Sequence, residues 1–331
     1  MSKFDELVGK KFIKGNYIKL RGKKYFYKSG VFKINTKYSF SQEQTKNFFF
    51  KLWRKAESIK DNHFKVIGKV MNIHYPNKKN FLDNYLKNKK DYKLLDAGCG
   101  SWAAGSSFYG DYLNKLKIYL LDISKAIYQA KKNLESKGNK AICFQASLEN
   151  LPFENNYFDI VFCPYVLPHL DNVKKGIEEL SRVGKPGALY IMFCTRKPTP
   201  IRSIIESYTR KKIRSFKFKD AIKELRSLTE FAKSISAIKE KILIKRPLKI
   251  FNIPKGKYTI HKLFYDYLMR LVYRKEVIFE SNFLSNLDWY VPSNYHGLDP
   301  EVFLSICKKN NIIAKDIKII PGSTSFIGFK K

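Results

Sequence analysis

Acidic residues are scarce: 29 Asp and Glu stand against 64 Lys and Arg, a formal charge of +35 on 331 residues. That deficit argues against cationic partners and directs attention to anionic ones: nucleic acid, a membrane surface, or a phosphorylated or acidic substrate. The excess is uneven. Residues 1–90 carry +17, residues 91–195 carry +1 and residues 196–331 carry +17. Lys, Asn, Ile, Tyr and Phe are all abundant, as in an A+T-biased coding sequence, and this compositional origin of the charge is slightly favoured. Most flank charge is Lys, whereas close phosphate reading favours the planar Arg fork. No KH or RRM signature is present, so nucleic acid is the less favoured partner. Cysteines number only five, at 99, 143, 163, 194 and 307, with no Cys-x-x-Cys pair, which leaves no ligand set for structural zinc. No metal site is expected, and the setting is expected to be reducing and cytoplasmic. No apolar run approaches the ~20 residues that span a bilayer. Met1–Glu6 leads into no apolar stretch, so a secretion signal is not expected.

The stretch Lys93–Ser101, KLLDAGCGS, carries the most information. Apolar residues, an acid and Gly-x-Gly describe a buried strand entering a tight loop. Glycine there permits positive φ and close approach of backbone to a ligand. The following helix can turn its free N–H groups toward that ligand. Next comes Ile118–Ser124, a strand ending in Asp122, placed to accept hydrogen bonds from ribose hydroxyls in a nucleotide-type fold. A short strand at 141–144 precedes Gln145–Phe153. Then Tyr157–Leu170 reads as a strand and a loop carrying His169, followed by a helix from Asn172 to Val183 and a strand at 188–193. Strands alternating with helices at this spacing predict a doubly wound parallel sheet. The Gly-Lys-Ser/Thr of a phosphate-binding loop and the third Gly of a dinucleotide fingerprint are both missing.

The ordered set LLDAGCG (94–100), LLDIS (120–124), ASLENLPF (146–153), FDIVFCPYVLPHL (158–170) and ELSRVGKPGALYIMF (179–193) resembles the class I S-adenosylmethionine-dependent methyltransferases, and among them the type 11 group. The resemblance implies an α/β fold: a Rossmann-like, doubly wound, seven-stranded sheet closed by a C-terminal antiparallel hairpin. A basic N-terminal extension and a helical lid insertion would be added to it. It implies four parts: an extension of short hairpins and helices at 1–85, a cofactor-binding core at 86–199, a lid at 200–285, and a site-wall loop, last helix and closing hairpin at 286–331. S-adenosyl-L-methionine would be held by Asp96, Ala97, Gly98, Cys99 and Gly100, by Asp122 and Ile123, by Ser147 and Leu148, and by Cys163 and Pro164. The chain departs from the pattern twice. Trp102 stands where a small residue is usual, and a ring there is expected either to pack over cofactor or substrate or to narrow the pocket. Ser147 replaces the usual Asp, leaving a hydroxyl for the adenine amino group.

In the N-terminal extension, residues 16–40 read as one or two hairpins. Ser41 and Gln44 have the spacing of a helix capping box. Phe48, Phe49, Leu52 and Trp53 form either a core-facing helix stripe or a cover over the cofactor. The segment Asn286–Pro300 reads as a non-helical site wall, or as a surface loop ending in a helix cap at Asp299 before Pro300. Its similarity to the acceptor-facing segment of the type 11 group implies that Trp289 and Tyr290, with Trp102 and Tyr165, meet the substrate. Methyl transfer from a sulfonium requires in-line alignment, and a base when the acceptor is protonated. His169, where the resemblance implies that the acceptor pocket opens, is the first candidate as base or orienting group and His296 the second. A helix-start histidine that merely packs is an equal reading of His169; His63 and His74 fall in the linker and His261 in the lid. The leading reading is in-line methyl transfer to a small-molecule, sugar or lipid-linked acceptor, with peripheral contact to an anionic membrane open to the basic helices. Alternatives are an RNA or rRNA methyltransferase using the basic flanks and a non-catalytic binding protein of the same fold.

Overall fold

The computed structural model describes residues 17–87, 91–320 and 322–331. The expectations for Met1–Glu6, for residue 16 of the first hairpin segment and for Pro321 of the closing hairpin lie outside them. The basic extension begins with β1 (Tyr17–Leu20), β2 (Lys23–Lys28) and β3 (Val31–Ile34), an antiparallel meander. Its turns are Arg21-Gly22 and Ser29-Gly30, all at positive φ, the geometry that matches strand twist in a two-residue hairpin. The meander does not stand apart. β3 pairs in parallel with a core strand, and Tyr25 and Phe32 pack on Phe144 with ring centroids 5.9 and 5.0 Å away.

Helix α1 (Phe40–Glu57) starts two residues earlier than its capping signal suggested. Ser39 is the cap and Gln42 closes the box; the hydroxyls of Ser39 and Ser41 both donate to Asp171. Helices α2 (Lys60–His74) and α3 (Lys78–Tyr85) lead into the core. There β4 (Tyr92–Ala97), α4 (Ala103–Tyr109), β5 (Leu116–Asp122), α5 (Ala126–Glu135), β6 (Ala141–Gln145), β7 (Phe158–Cys163), α6 (Val173–Val183) and β8 (Gly184–Thr195) follow in alternation. Near-continuous apolar runs such as Phe158–Cys163, buried throughout, suit strands covered on both faces.

The lid follows β8. Helices α7 (Pro200–Ser215) and α8 (Phe218–Ala237) answer the helical expectation. Residues 241–259 do not: β9 (Lys241–Ile244) and β10 (Gly256–Thr259) form a separate two-stranded hairpin. Short α9 (Ile260–Leu263) and longer α10 (Phe279–Tyr290) complete the lid. Asn286–Tyr290 is therefore helix, not loop, because Phe283, Leu284 and Leu287 bury a face against α1 and α8. Helix α11 (Pro300–Lys309) and strands β11 (Ile312–Ile320) and β12 (Ser323–Lys330) end the fold.

The main sheet has the order β1-β2-β3-β6-β5-β4-β7-β8-β12-β11. Its last seven strands are the expected doubly wound set, with β12 antiparallel between β8 and β11. The meander extends them to ten. No helix among the described residues is long and apolar enough to cross a membrane.

Candidate functional site

Strand order reverses between β4 and β7, and in open α/β sheets ligands lie beyond the strand ends at such a point. A cavity opens there, lined by the loop after β4, the end of β5 and the loops after β6 and β7. The Gly98 N–H donates to Leu121 O (2.7 Å) and the Gly100 N–H to Asp122 Oδ2 (2.9 Å), tying the loop to β5. Gly98 has φ +84°, and a Cβ there would come within 2.3 Å of Val166 Cγ2. Gly100 has φ +52°, and its Cβ would lie 2.7 Å from the Trp53 ring. Glycine is required twice for one reason: the backbone forms the cavity floor. Asp122 Oδ1 accepts the Ser124 N–H and hydroxyl, both at 2.7 Å. Burial pushes its carboxyl above the ordinary range, and these hydrogen bonds pull it back.

Of the residues assigned to the cofactor, Gly98, Cys99, Gly100 and Asp122 line this cavity. So do Ile123, Ser147, Leu148 and Pro164. Asp96, Ala97 and Cys163 do not; they are buried inside β4 and β7, behind the loops. Trp102 requires a correction. It is fully buried and its ring packs under the loop rather than over a ligand. The indole N–H finds its partner there: Nε1 donates to the Tyr109 hydroxyl (2.9 Å), which donates to Asp96 Oδ2. Burial lifts the Asp96 carboxyl to about 7 despite that bond. The helix stripe divides: Phe48 and Leu52 are buried against α8 and α10, while Phe49 and Trp53 wall the cavity.

A second cavity adjoins the first, and Phe49, Trp53, Ile67, Tyr165 and His169 line both. His169 Nδ1 lies 3.2 Å from Asn294 O. A carbonyl can only accept, so Nδ1 carries the hydrogen and Nε2 keeps its lone pair. Nε2 stands 4.0 Å from Asp288 Oδ1. Burial lowers the His169 pKa to about 4, so the ring is neutral near pH 7. Burial also raises the Asp288 carboxyl to about 7, against the pull of Arg270. Asp288 keeps 42% of its side chain accessible, but that surface faces the cavity, whose apolar wall explains the shift.

The rest of this cavity is lined by aromatic and aliphatic side chains with Arg270 and Arg274 among them. Arg270 stacks on Trp289, its guanidinium 3.8 Å from the ring centroid. Neither arginine forms an ion pair with a described residue. Five buried polar atoms on cavity residues lack a hydrogen-bond partner among the described residues: His63 Nε2, Tyr165 Oη, Arg270 Nε, Ser281 Oγ and Trp289 Nε1. Buried polar atoms are normally satisfied, so their concentration here marks a ligand-receiving cavity.

The two predicted wall residues separate. Trp289 lines the second cavity, whereas Tyr290 is packed in the lid core with its hydroxyl donating to Arg270 O (2.9 Å). His296 also falls elsewhere: its backbone N–H is pinned to Pro168 O (2.7 Å) and its ring lies exposed in an outer groove. Sequence reasoning missed Asp288, Arg270, Arg274, His63 and His74, all of which line the second cavity. Nothing local marks the arginines; His63 and His74 share the apolar face of α2, the one available signal. Among the described residues no cluster of three His, Cys, Asp or Glu is placed to hold a metal ion.

Residues 95–192 match the family model described as a methyltransferase domain. An uncharacterized protein of Methanocaldococcus jannaschii is 37% identical over 119 residues, 36% of this chain and 48% of the relative. The uncharacterized methyltransferase YodH of Bacillus subtilis is 31% identical over 115 residues, 33% of this chain and 47% of the relative. The chain thus spans about half the length of these curated relatives. Among solved structures, magnesium protoporphyrin IX methyltransferase (ChlM) from Synechocystis PCC 6803, with bound SAH, aligns at a TM-score of 0.45 and 12% identity over 88% of this chain and 100% of that one.

Proposed function

We propose that the protein, whose residues 95–192 match a methyltransferase-domain family model, is a class I S-adenosylmethionine-dependent methyltransferase that transfers a methyl group to a small or lipid-linked acceptor with an apolar body and an acidic group. The first cavity fits the cofactor, because its floor is a glycine backbone that any Cβ would obstruct. Gly98, Cys99 and Gly100 would face the methionine portion, Asp122 the ribose, and Ile123, Ser147 and Leu148 the adenine. Asp122 Oδ2 has a lone pair beyond the one used by Gly100, enough for a ribose hydroxyl. When bound, the sulfonium supplies an activated methyl group.

The chain's own residues do the remainder. Phe49, Trp53 and Tyr165, common to both cavities, exclude water from the boundary and hold the acceptor toward the first cavity. His169 Nε2 takes the acceptor proton; its low pKa keeps it unprotonated at neutral pH. The Asp288 carboxylate then faces the new imidazolium. Nδ1, held on the Asn294 carbonyl, fixes the tautomer. Arg270 and Arg274 give the acceptor's acid group its counter-charge, in a cavity where the three histidines His63, His74 and His169 are neutral. An acceptor of this kind is favoured over a nucleic-acid strand because the arginines sit inside the second cavity rather than along an open groove.

The observation that carries the proposal is the position of His169 on the wall between the two cavities. The test incubates the protein with methyl-labelled S-adenosylmethionine and a small-molecule and lipid extract, and follows label into organic-soluble acids. Label transfer by wild type, lost in His169→Gln although that variant still binds the cofactor, is the expected result. Label found in RNA instead, or equal transfer by the variant, overturns it.

A further inference from the structure

An exposed apolar patch that lines neither cavity lies on the arm formed by β9, β10 and the segments beside and between them. Of the 18 large apolar side chains exposed on the described surface, six fall within residues 238–251: Ile238, Ile242, Leu243, Leu248, Ile250 and Phe251. Ile250 is 77% exposed and Leu243 52%. Scattered exposed apolar residues are ordinary, but a contiguous group marks a contact surface. The arm also concentrates positive charge. Lys239, Lys241, Lys245, Arg246, Lys249, Lys255 and Lys257 are all exposed, against Glu240 alone. None of the seven forms an ion pair with a described residue.

The backbone is built to present this surface. β9 and β10 pair only with each other, in register Ile242↔Tyr258 and Leu243↔Lys257. A lone two-stranded hairpin is marginal in water. This one is anchored at its base, where Tyr258 is buried and its hydroxyl donates to Pro254 O (2.9 Å). A bridge between Leu248 and Ile253 folds the tip, leaving Asn252 in the left-handed region and Ile250 outward. Apolar side chains at a tip ringed by lysines suit one solvent in particular: the boundary of an anionic bilayer, where aliphatic groups enter the acyl region and cations meet headgroups.

We propose that the 238–258 arm docks the protein on anionic membranes by inserting Leu243, Leu248, Ile250 and Phe251 between headgroups that its seven cations neutralise. A second copy of the chain is disfavoured as occupant, because apposed arms would bring like charges together. The arm's chemistry is independent of the methyl-transfer reading, so either can fail without the other.

The test is co-sedimentation of the full chain with vesicles of phosphatidylcholine alone or with 30% phosphatidylglycerol, for wild type, Leu243→Asp/Ile250→Asp and Lys245→Ser/Arg246→Ser. Binding to the anionic vesicles at least tenfold tighter than to the neutral ones is expected. Removing two cations should weaken it about 25-fold, at roughly fivefold per charge, and the double Asp variant should lose it. Ile250→Cys carrying an environment-sensitive dye, a change at a 77% exposed position, should shift to the blue on anionic vesicles, a readout that does not depend on the Asp or Ser variants folding. Equal binding by the double Asp variant, an unshifted dye, or concentration-dependent dimerisation through the arm overturns the proposal.

Discussion

Replacing Tyr109 with Phe removes one oxygen from beneath the glycine loop and strands two buried groups. Trp102 Nε1 loses its acceptor and Asp96 Oδ2 loses a donor. Trp102 is fully buried and Asp96 is 2% exposed, so water does not readily replace either partner. Leaving a buried polar group unsatisfied costs about 1–3 kcal/mol, so the substitution, which strands two, should destabilise by roughly 2–6 kcal/mol. That is a large share of the ~5–15 kcal/mol that holds a typical domain together. The loss should also depend on pH. Asp96 has a folded-state pKa raised to about 7, above its unfolded value. The native state therefore binds extra proton between those two values, and stability falls as pH rises through that window. Tyr109's hydrogen bond holds the Asp96 pKa down, so its removal extends the window upward. Urea unfolding of wild type and Tyr109→Phe at pH 5.5 and pH 8 measures this directly. The variant should be the less stable at both, with a deficit at pH 8 larger by about 1 kcal/mol or more. A deficit below about 1 kcal/mol at both values, the low end for one orphaned group, refutes the buried relay.

Further outcomes follow from the same geometry. Gly98→Ala places a Cβ 2.3 Å from Val166 Cγ2 at φ +84°, so calorimetry should show cofactor affinity at least tenfold weaker in a folded protein. His169→Gln should bind cofactor like wild type while methyl transfer, measured once the acceptor is in hand, falls by about 10²–10⁴-fold, the range for a lost base. Burial lowers the His74 pKa to about 4, so the native state binds less proton than the unfolded chain between about 4 and 6.5, and stability falls as pH drops through that window. His74→Asn should make the urea midpoint less sensitive to acidification over that range, and an unchanged slope would contradict the assigned burial.

The motif strands and the loops between them were legible because each carries its own signal. An apolar run ending in Asp122, or Gly-x-Gly after Asp96, needs no distant partner to be read. The closing hairpin at β11 and β12 was legible for the same reason. Elements decided by long-range packing were not. Nothing within Tyr17–Ile34 announces that β3 will pair with β6, because that choice rests on Phe32 and Tyr25 meeting Phe144 across the sequence. Asp288 hid in a stretch rich in polar and aromatic groups that reads as loop; burial of Phe283 and Leu287 against α1 and α8 made it helix. Trp102 was read as a cofactor or substrate neighbour because it stands where the resembled family's glycine loop has a small residue, whereas its indole N–H is drawn inward by Tyr109. The glycines of the first cavity were thus open to sequence reasoning, and the second cavity, assembled largely from α1, α2 and α10, was not.

The measurement that bears most directly on the account is calorimetric titration of the protein with S-adenosylmethionine and S-adenosylhomocysteine, beside an Asp122→Asn variant. Asp122 touches both the glycine loop and the cavity, so the account predicts one-to-one binding in the micromolar range by wild type and at least tenfold weaker binding by the variant. Absence of binding by a folded wild-type protein would contradict the assignment of the first cavity, and with it the proposed methyl transfer.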